Sequence, residues 1–176
     1  MSKKSRSKIK GRKKVVHHPK SYISRKIPFD IKSLEKLFYR ADLELRGIDQ
    51  SGPSYEGRVF LNNNAAKQDT PTDKDHGYVG SFFVFGNGGC YGDIGHCEMN
   101  LSKTKYDVIP NRQKPENISL IITEKLKEIA QKSDGFKVTI VPVPADGMDF
   151  VCQKGVDLEN IVKLDKVSVV TYDLEE

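Results

Sequence analysis

The chain has 176 residues, a formal net charge of +5 at pH 7, three cysteines and no tryptophan. That length supports one domain with a real core and excludes two large ones. No run approaches the roughly eighteen apolar residues of a membrane helix, and only Val15 and Val16 follow the basic start where a signal peptide would carry its apolar stretch, so a cytoplasmic location is expected.

Residues 1–20 hold nine Lys and Arg and no acid, which leaves the other 156 residues at −4. Lys3, Lys4, Arg6, Lys8, Lys10, Arg12, Lys13 and Lys14 form a self-repelling arm that is expected to be disordered. Its charge suits contact with nucleic acid or another anionic surface, or serves solubility alone. No aromatic residue is interleaved to stack on bases. The adjacent pair His17 and His18 lies in the same arm.

Residues 21–38 read as a lead-in in which DIKSLEKLF is a candidate short helix, with Ile31, Leu34 and Leu37 or Phe38 on one side. The domain proper is expected over 39–176. ADLELRGI alternates strictly, with Leu43, Leu45 and Gly47 against Asp42, Glu44 and Arg46, as a half-buried strand does. YEGRVFLNN reads as a second strand with Tyr55, Gly57, Val59 and Leu61 on one face and Phe60 as an exception on the other. Residues 62–76 are polar and turn-rich, hence a long surface loop.

YVGSFFVFG is apolar on both faces, which predicts a central strand. The following segment, from Asn87 to Asn117, shows little periodicity beyond a candidate short strand at HCEMNL. ISLIIT reads as a strand and EKLKEIAQK as a helix with Leu126, Ile129 and Ala130 on one stripe. Thr123 is its candidate N-cap, and Gly135 is placed to end it in the left-handed conformation. FKVTIVPVP alternates as a strand whose Pro142 and Pro144 suggest an edge or an end, and VKLDKVSVVTYD gives one or two closing strands. Six to eight short strands with one short helix predict an all-β fold, an antiparallel β-sandwich or barrel.

The one chemically suggestive stretch is GNGGCYGDIGHC. Cys90, His96 and Cys97 fall within eight residues. A zinc knuckle or ribbon needs two close-spaced ligand pairs, and here there is one C-x6-C with His directly before the second Cys. Cys152 and His76 are the residues that could complete such a site with copper or zinc; otherwise the stretch is a Gly-rich turn holding two thiols, and no cofactor is required. Three cysteines fit a reduced compartment better than a disulfide scaffold. A cysteine nucleophile needs a positioned base, and neighbours on a strand point to opposite faces, so Cys97 beside His96 does not supply one. The Lys-Ser/Thr of a phosphate-binding loop is absent too, and no catalytic residue is assigned.

Residues 77–97, GYVGSFFVFGNGGCYGDIGHC, resemble a segment of the C-terminal β-sandwich domain of the type-3 copper family, the tyrosinases, plant polyphenol oxidases and molluscan haemocyanins. YEGRVFLNN, SLIITEKLKEIAQKSDGFKVTIVPV and VKLDKVSVVTYD are similar, in the same order, to its other strands and short helix, so the resemblance spans roughly residues 40–173. The resemblance implies an accessory or binding role. In the family this sandwich packs over the dicopper site, shields it and can place a bulky apolar residue in the substrate entrance. By position Phe83 or Phe85 would be that residue; they share one face, and Phe82 and Val84 share the other. The alternative places all four in the core. The implied partner is a separate type-3 copper oxidase. A dicopper centre takes six histidines and this chain has four, two of them in the arm, so it is expected to be a free-standing relative rather than a tyrosinase itself. The CYGDIGHC turn has no counterpart in the plant domain.

Overall fold

The computed structural model describes residues 19–29, 38–86, 115–144 and 159–173. Along the chain these form β1 (Tyr22–Ile23), β2 (Ile27–Pro28), β3 (Phe38–Ile48), β4 (Tyr55–Leu61), β5 (Tyr78–Val84), β6 (Glu116–Ile121), helix α1 (Thr123–Ala130), β7 (Gly135–Phe136), β8 (Val138–Pro144) and β9 (Lys166–Asp173). All pairings are antiparallel. The strand orders are β1-β8-β4-β5, β6-β3-β9 and the two-residue pair β2-β7. The fold is all-β with one short helix, as the alternation predicts. Nine strands are present among the described residues, more than the six to eight expected, because β1, β2 and β7 are two residues long and too short to carry a period.

The two larger sheets face each other across one core. Ala41, Leu43 and Leu45 of β3 are fully buried and share a cluster with Tyr55, Val59 and Leu61 of β4, Phe82 and Val84 of β5, and Val138 and Ile140 of β8. The period-two reading of ADLELRGI therefore holds up to Gly47. There β3 bulges between Leu45 and Ile48 against β6, and Gly47 takes a positive φ of 71°. A side chain at that position would also collide with Asp165, whose Cβ is 2.8 Å from where it would start.

Leu126 and Ile129 of α1 close the core, as their helical spacing predicts. The helix boundaries differ from expectation. Ile122 is the N-cap residue and no side chain caps the helix. Thr123 instead stands inside the first turn, where its Oγ1 accepts a hydrogen bond from Ala41 N–H at 2.9 Å and ties the helix to β3. Gly135 is not left-handed either. The helix ends at Ala130, Gln131 stays right-handed, and Ile129 O accepts from the N–H groups of Lys132 and Ser133. Gly135 is used in β7, where a Cβ would press on Ile27 O at 2.6 Å.

YVGSFFVFG was expected at the centre of a sheet; β5 is at the edge of one. The candidate helix at 30–38 lies outside the described residues except for Phe38, which begins β3. HCEMNL lies outside them as well. VKLDKVSVVTYD forms one strand, β9. Pro142 and Pro144 fall beyond Thr139 and Ile140, the two residues that β1 reaches. At that point β8 has no outer strand among the described residues, so their missing N–H costs no ladder bond.

Candidate functional site

β5 separates its apolar residues by face. Phe82 and Val84 point inward, and Phe82 packs edge-on against Tyr55 with ring centroids 6.3 Å apart. Phe83 and Phe85 point outward and are 54% and 81% exposed. The reading that put all four in the core is therefore wrong for these two. The strand end that presents them is held in place: Gly86 N–H donates to Ser54 Oγ at 3.1 Å. Beside Phe83 lies Glu56, its cross-strand partner, whose carboxylate is 3.0 Å from Arg58.

The outer face of the same sheet is covered at its other end. Phe60, the exception in the sequence pattern, packs with Ala66 and Val141 in a second small core, flanked by Tyr78 and Val143. The 62–76 loop folds over this end. Ala66 O accepts from Ser21 Oγ, Gln68 O accepts from Arg58 Nη1, and Gln68 Nε2 donates to Pro142 O. One half of the face is thus sealed by the chain's own loop, and Phe83 and Phe85 stand in the half that none of the described residues covers.

Cys90, His96 and Cys97 lie outside the described residues, as do Cys152, His17, His18 and the basic arm from Lys3 to Lys14. Val84 and Pro144 are both Cα partners of Tyr55, so the chain leaves the described sheet toward Cys90 and toward Cys152 at the same end. Tyr55 itself is buried there, its hydroxyl has no hydrogen-bond partner among the described residues, and burial pushes its pKa well up, with Asp49 and Glu116 adding to the shift. His76 sits at the other end of β4, where Leu61 N–H donates to Gly77 O. Its Nδ1 is 2.6 Å from Asp73 Oδ1, and that contact holds the Asp73 carboxyl below its usual range. Among the described residues no group of three or more His, Cys, Asp or Glu could hold a metal ion.

Two cavities flank Lys125. One, of about 380 Å³, lies between His76 and Lys132. The other, of about 370 Å³, has Tyr78, Val79 and Ile121 as its apolar wall and lies where the edges of β5 and β6 approach. The Lys125 ammonium donates to Lys74 O and Glu128, so its charge is already engaged between them.

Sequence reasoning did not single out the outer face of the three-stranded sheet. Asp42 is buried there under Arg40, which donates to both of its carboxylate oxygens at 2.7 Å. The Arg40 guanidinium lies 5.6 Å over the Tyr172 ring, and Tyr172 packs on Tyr39 at 6.4 Å. The signal was present in the alternation of β3, where Arg40, Asp42, Glu44 and Arg46 share the outer face, but the cross-strand partner Tyr172 is 132 residues away in sequence.

No protein-family model matches the chain, and no curated protein matches it. Among the solved structures similar to it are two of latent aurone synthase. Latent aurone synthase (polyphenol oxidase) from a natural source superposes with a TM-score of 0.51 and 14% identity, over 99% of this chain and 29% of that one. Recombinantly expressed latent aurone synthase (polyphenol oxidase) gives 0.49 and 15%, over 96% of this chain and 28% of that one. The chain thus spans under a third of the length of those proteins. At this identity the likeness is one of fold: the β-sandwich has the architecture of a part of a polyphenol oxidase chain. Among the described residues no helix is long and apolar enough to cross a membrane.

Proposed function

We propose that this chain is a non-catalytic β-sandwich accessory module, related to the C-terminal domain of polyphenol oxidases, that docks on a separate type-3 copper oxidase and shields its substrate entrance. The observation that carries this reading is the outward pair Phe83 and Phe85, exposed on a sheet face whose other half the 62–76 loop covers. Burying a phenylalanine side chain is worth about 1.5–3 kcal/mol, and aromatic anchors at the centre of an interface carry much of its affinity. The chain's four histidines do not make a six-histidine dicopper centre, so the oxidation chemistry belongs to the partner. The test adds the full chain to the dicopper part of a polyphenol oxidase lacking its own β domain and follows catechol oxidation. Slower turnover is expected, and unchanged turnover with the chain in large excess contradicts the proposal.

A second reading has Cys90, His96 and Cys97 hold copper or zinc. It rests on the spacing of the three residues within positions 90–97, which lie outside the described residues. Elemental analysis of the purified chain beside a Cys90→Ser/Cys97→Ser control decides it. Stoichiometric metal that the control lacks supports the site, and its absence from both rules the site out.

A further inference from the structure

We propose that Tyr39 and Tyr172 are a modification site, joined ring to ring into a dityrosine by one-electron oxidants of phenols, so that the start of β3 is stapled to the end of β9. β3 bulges a second time, between Phe38 and Arg40, where Phe38 faces Asp173 and Arg40 faces Tyr172, so that Tyr39 is an extra residue with no partner on β9. Phe38 stays in the core, while Tyr39 and Arg40 are both exposed. The bulge thus sets two outward side chains of β3 against one of β9. The Arg40 guanidinium lies 5.6 Å over the Tyr172 ring, and the Tyr39 ring meets Tyr172 with centroids 6.4 Å apart at a tilt of 52°. That separation is within the range of about 4.5–7 Å at which aromatic rings touch.

Exposure and contact single out this pair. Tyr39 is 53% and Tyr172 39% exposed, so an oxidant in solution reaches both phenols. Among the described residues the other tyrosines are buried or half-buried, and Tyr55 and Tyr78 pack against phenylalanines, which do not form phenoxyl radicals. In the reaction each ring gives up one electron and its phenolic proton. The Tyr172 hydroxyl hydrogen-bonds the Asp42 carboxylate, which takes that proton and, being held below its usual range, passes it to water. The guanidinium over the ring opposes a positive charge there, so electron and proton leave together. Tyr39 releases its proton to solvent. The two radicals couple through a carbon ortho to each oxygen, and the hydrogens on those carbons move to the oxygens as both rings regain aromaticity. The net change is one new C–C bond in place of two C–H bonds, with two electrons and two protons released. Hydrogen peroxide, acting through a peroxidase, accepts them and becomes two waters. No part of this step uses Phe83 or Phe85, so the inference stands independently of the oxidase reading.

The test treats the full chain, kept dilute, with a peroxidase and limiting hydrogen peroxide, then reads dityrosine fluorescence and maps cross-linked peptides by mass. The expected product is a single chain, lighter by two hydrogen atoms, in which the peptide of Tyr39 is bonded to that of Tyr172. Tyr39→Phe and Tyr172→Phe should each lose this product, and Tyr78→Phe should keep it. The bond restricts the unfolded chain, so the cross-linked protein should melt about 5 °C or more above the untreated one. Oxidation that yields no peptide joining Tyr39 to Tyr172 overturns the proposal, as does dityrosine found only between chains or at other tyrosines. A cross-link that leaves the melting temperature unchanged refutes the staple.

Discussion

The ring of Phe82 lies directly on Gly57, its cross-strand partner: a Cβ there would stand 2.6 Å from Phe82 Cε1 and closer still to Cζ. The absence of a side chain on β4 is what lets an aromatic ring on β5 turn into the core. Gly57→Val should therefore displace Phe82 and cost about 1–3 kcal/mol, measured by denaturant unfolding, with the loss falling in the midpoint rather than the slope. A variant as stable as the parent would mean that the ring has room to move aside.

The same strand offers a comparison between neighbours. Phe82→Ala removes a buried ring and should cost about 3–5 kcal/mol, whereas Phe83→Ala removes an exposed one and should change stability by about 0.5 kcal/mol or less. Equal losses at the two positions would show that Phe83 is packed in the free chain.

Asp42 gives the fold an acid limit. The two hydrogen bonds from Arg40 hold its carboxyl below the ordinary 3.8, with help from Ser119 and Tyr172. Because the folded-state value is the lower one, the ionised carboxylate stabilises the fold at pH above 3.8 and that contribution is lost as pH falls through the depressed value. Asp42→Asn should lower the melting temperature at neutral pH and flatten its fall as pH drops through and below 3.8. A variant with the parent's full acid dependence would place the titrating group elsewhere.

Thr123 joins α1 to β3 through a buried bond to Ala41 N–H. Thr123→Val keeps the shape and removes the acceptor, so the amide of Ala41 loses its partner at a cost of about 1–3 kcal/mol. Thr123→Ser keeps the oxygen and should recover most of it. If the bond were dispensable, valine and serine would be equivalent in a thermal melt.

Local patterns carried the strands that bury one face. In β3 the alternation of Leu43 and Leu45 with Asp42 and Glu44 was enough, because one side meets the apolar core and the other a polar outer face where Arg40 covers Asp42. The pattern could not assign β5. Apolar residues on both faces look alike whether the outer pair is covered by another strand or left exposed, and here Phe83 and Phe85 are exposed on an edge strand. Phe60 broke its pattern because it packs on the outer face of its sheet, against Ala66 of the following loop and Val141 of the neighbouring strand β8. Thr123 and Gly135 have residue types suited to helix ends, but each serves a contact distant in sequence, with Ala41 and with Ile27. The outward Phe83 and Phe85 were legible as a pair; the Arg40–Asp42–Tyr172 cluster was not, because it joins strands from opposite ends of the domain.

The most direct measurement of the docking proposal is the affinity of the full chain for the dicopper part of a polyphenol oxidase lacking its own β domain, determined by calorimetry for the parent and for Phe83→Ala/Phe85→Ala. The account predicts saturable binding by the parent and a loss of about tenfold or more in the double variant, with its thermal stability unchanged. Binding of equal strength by both would move the interface away from Phe83 and Phe85, and no binding by the parent would contradict the docking role itself.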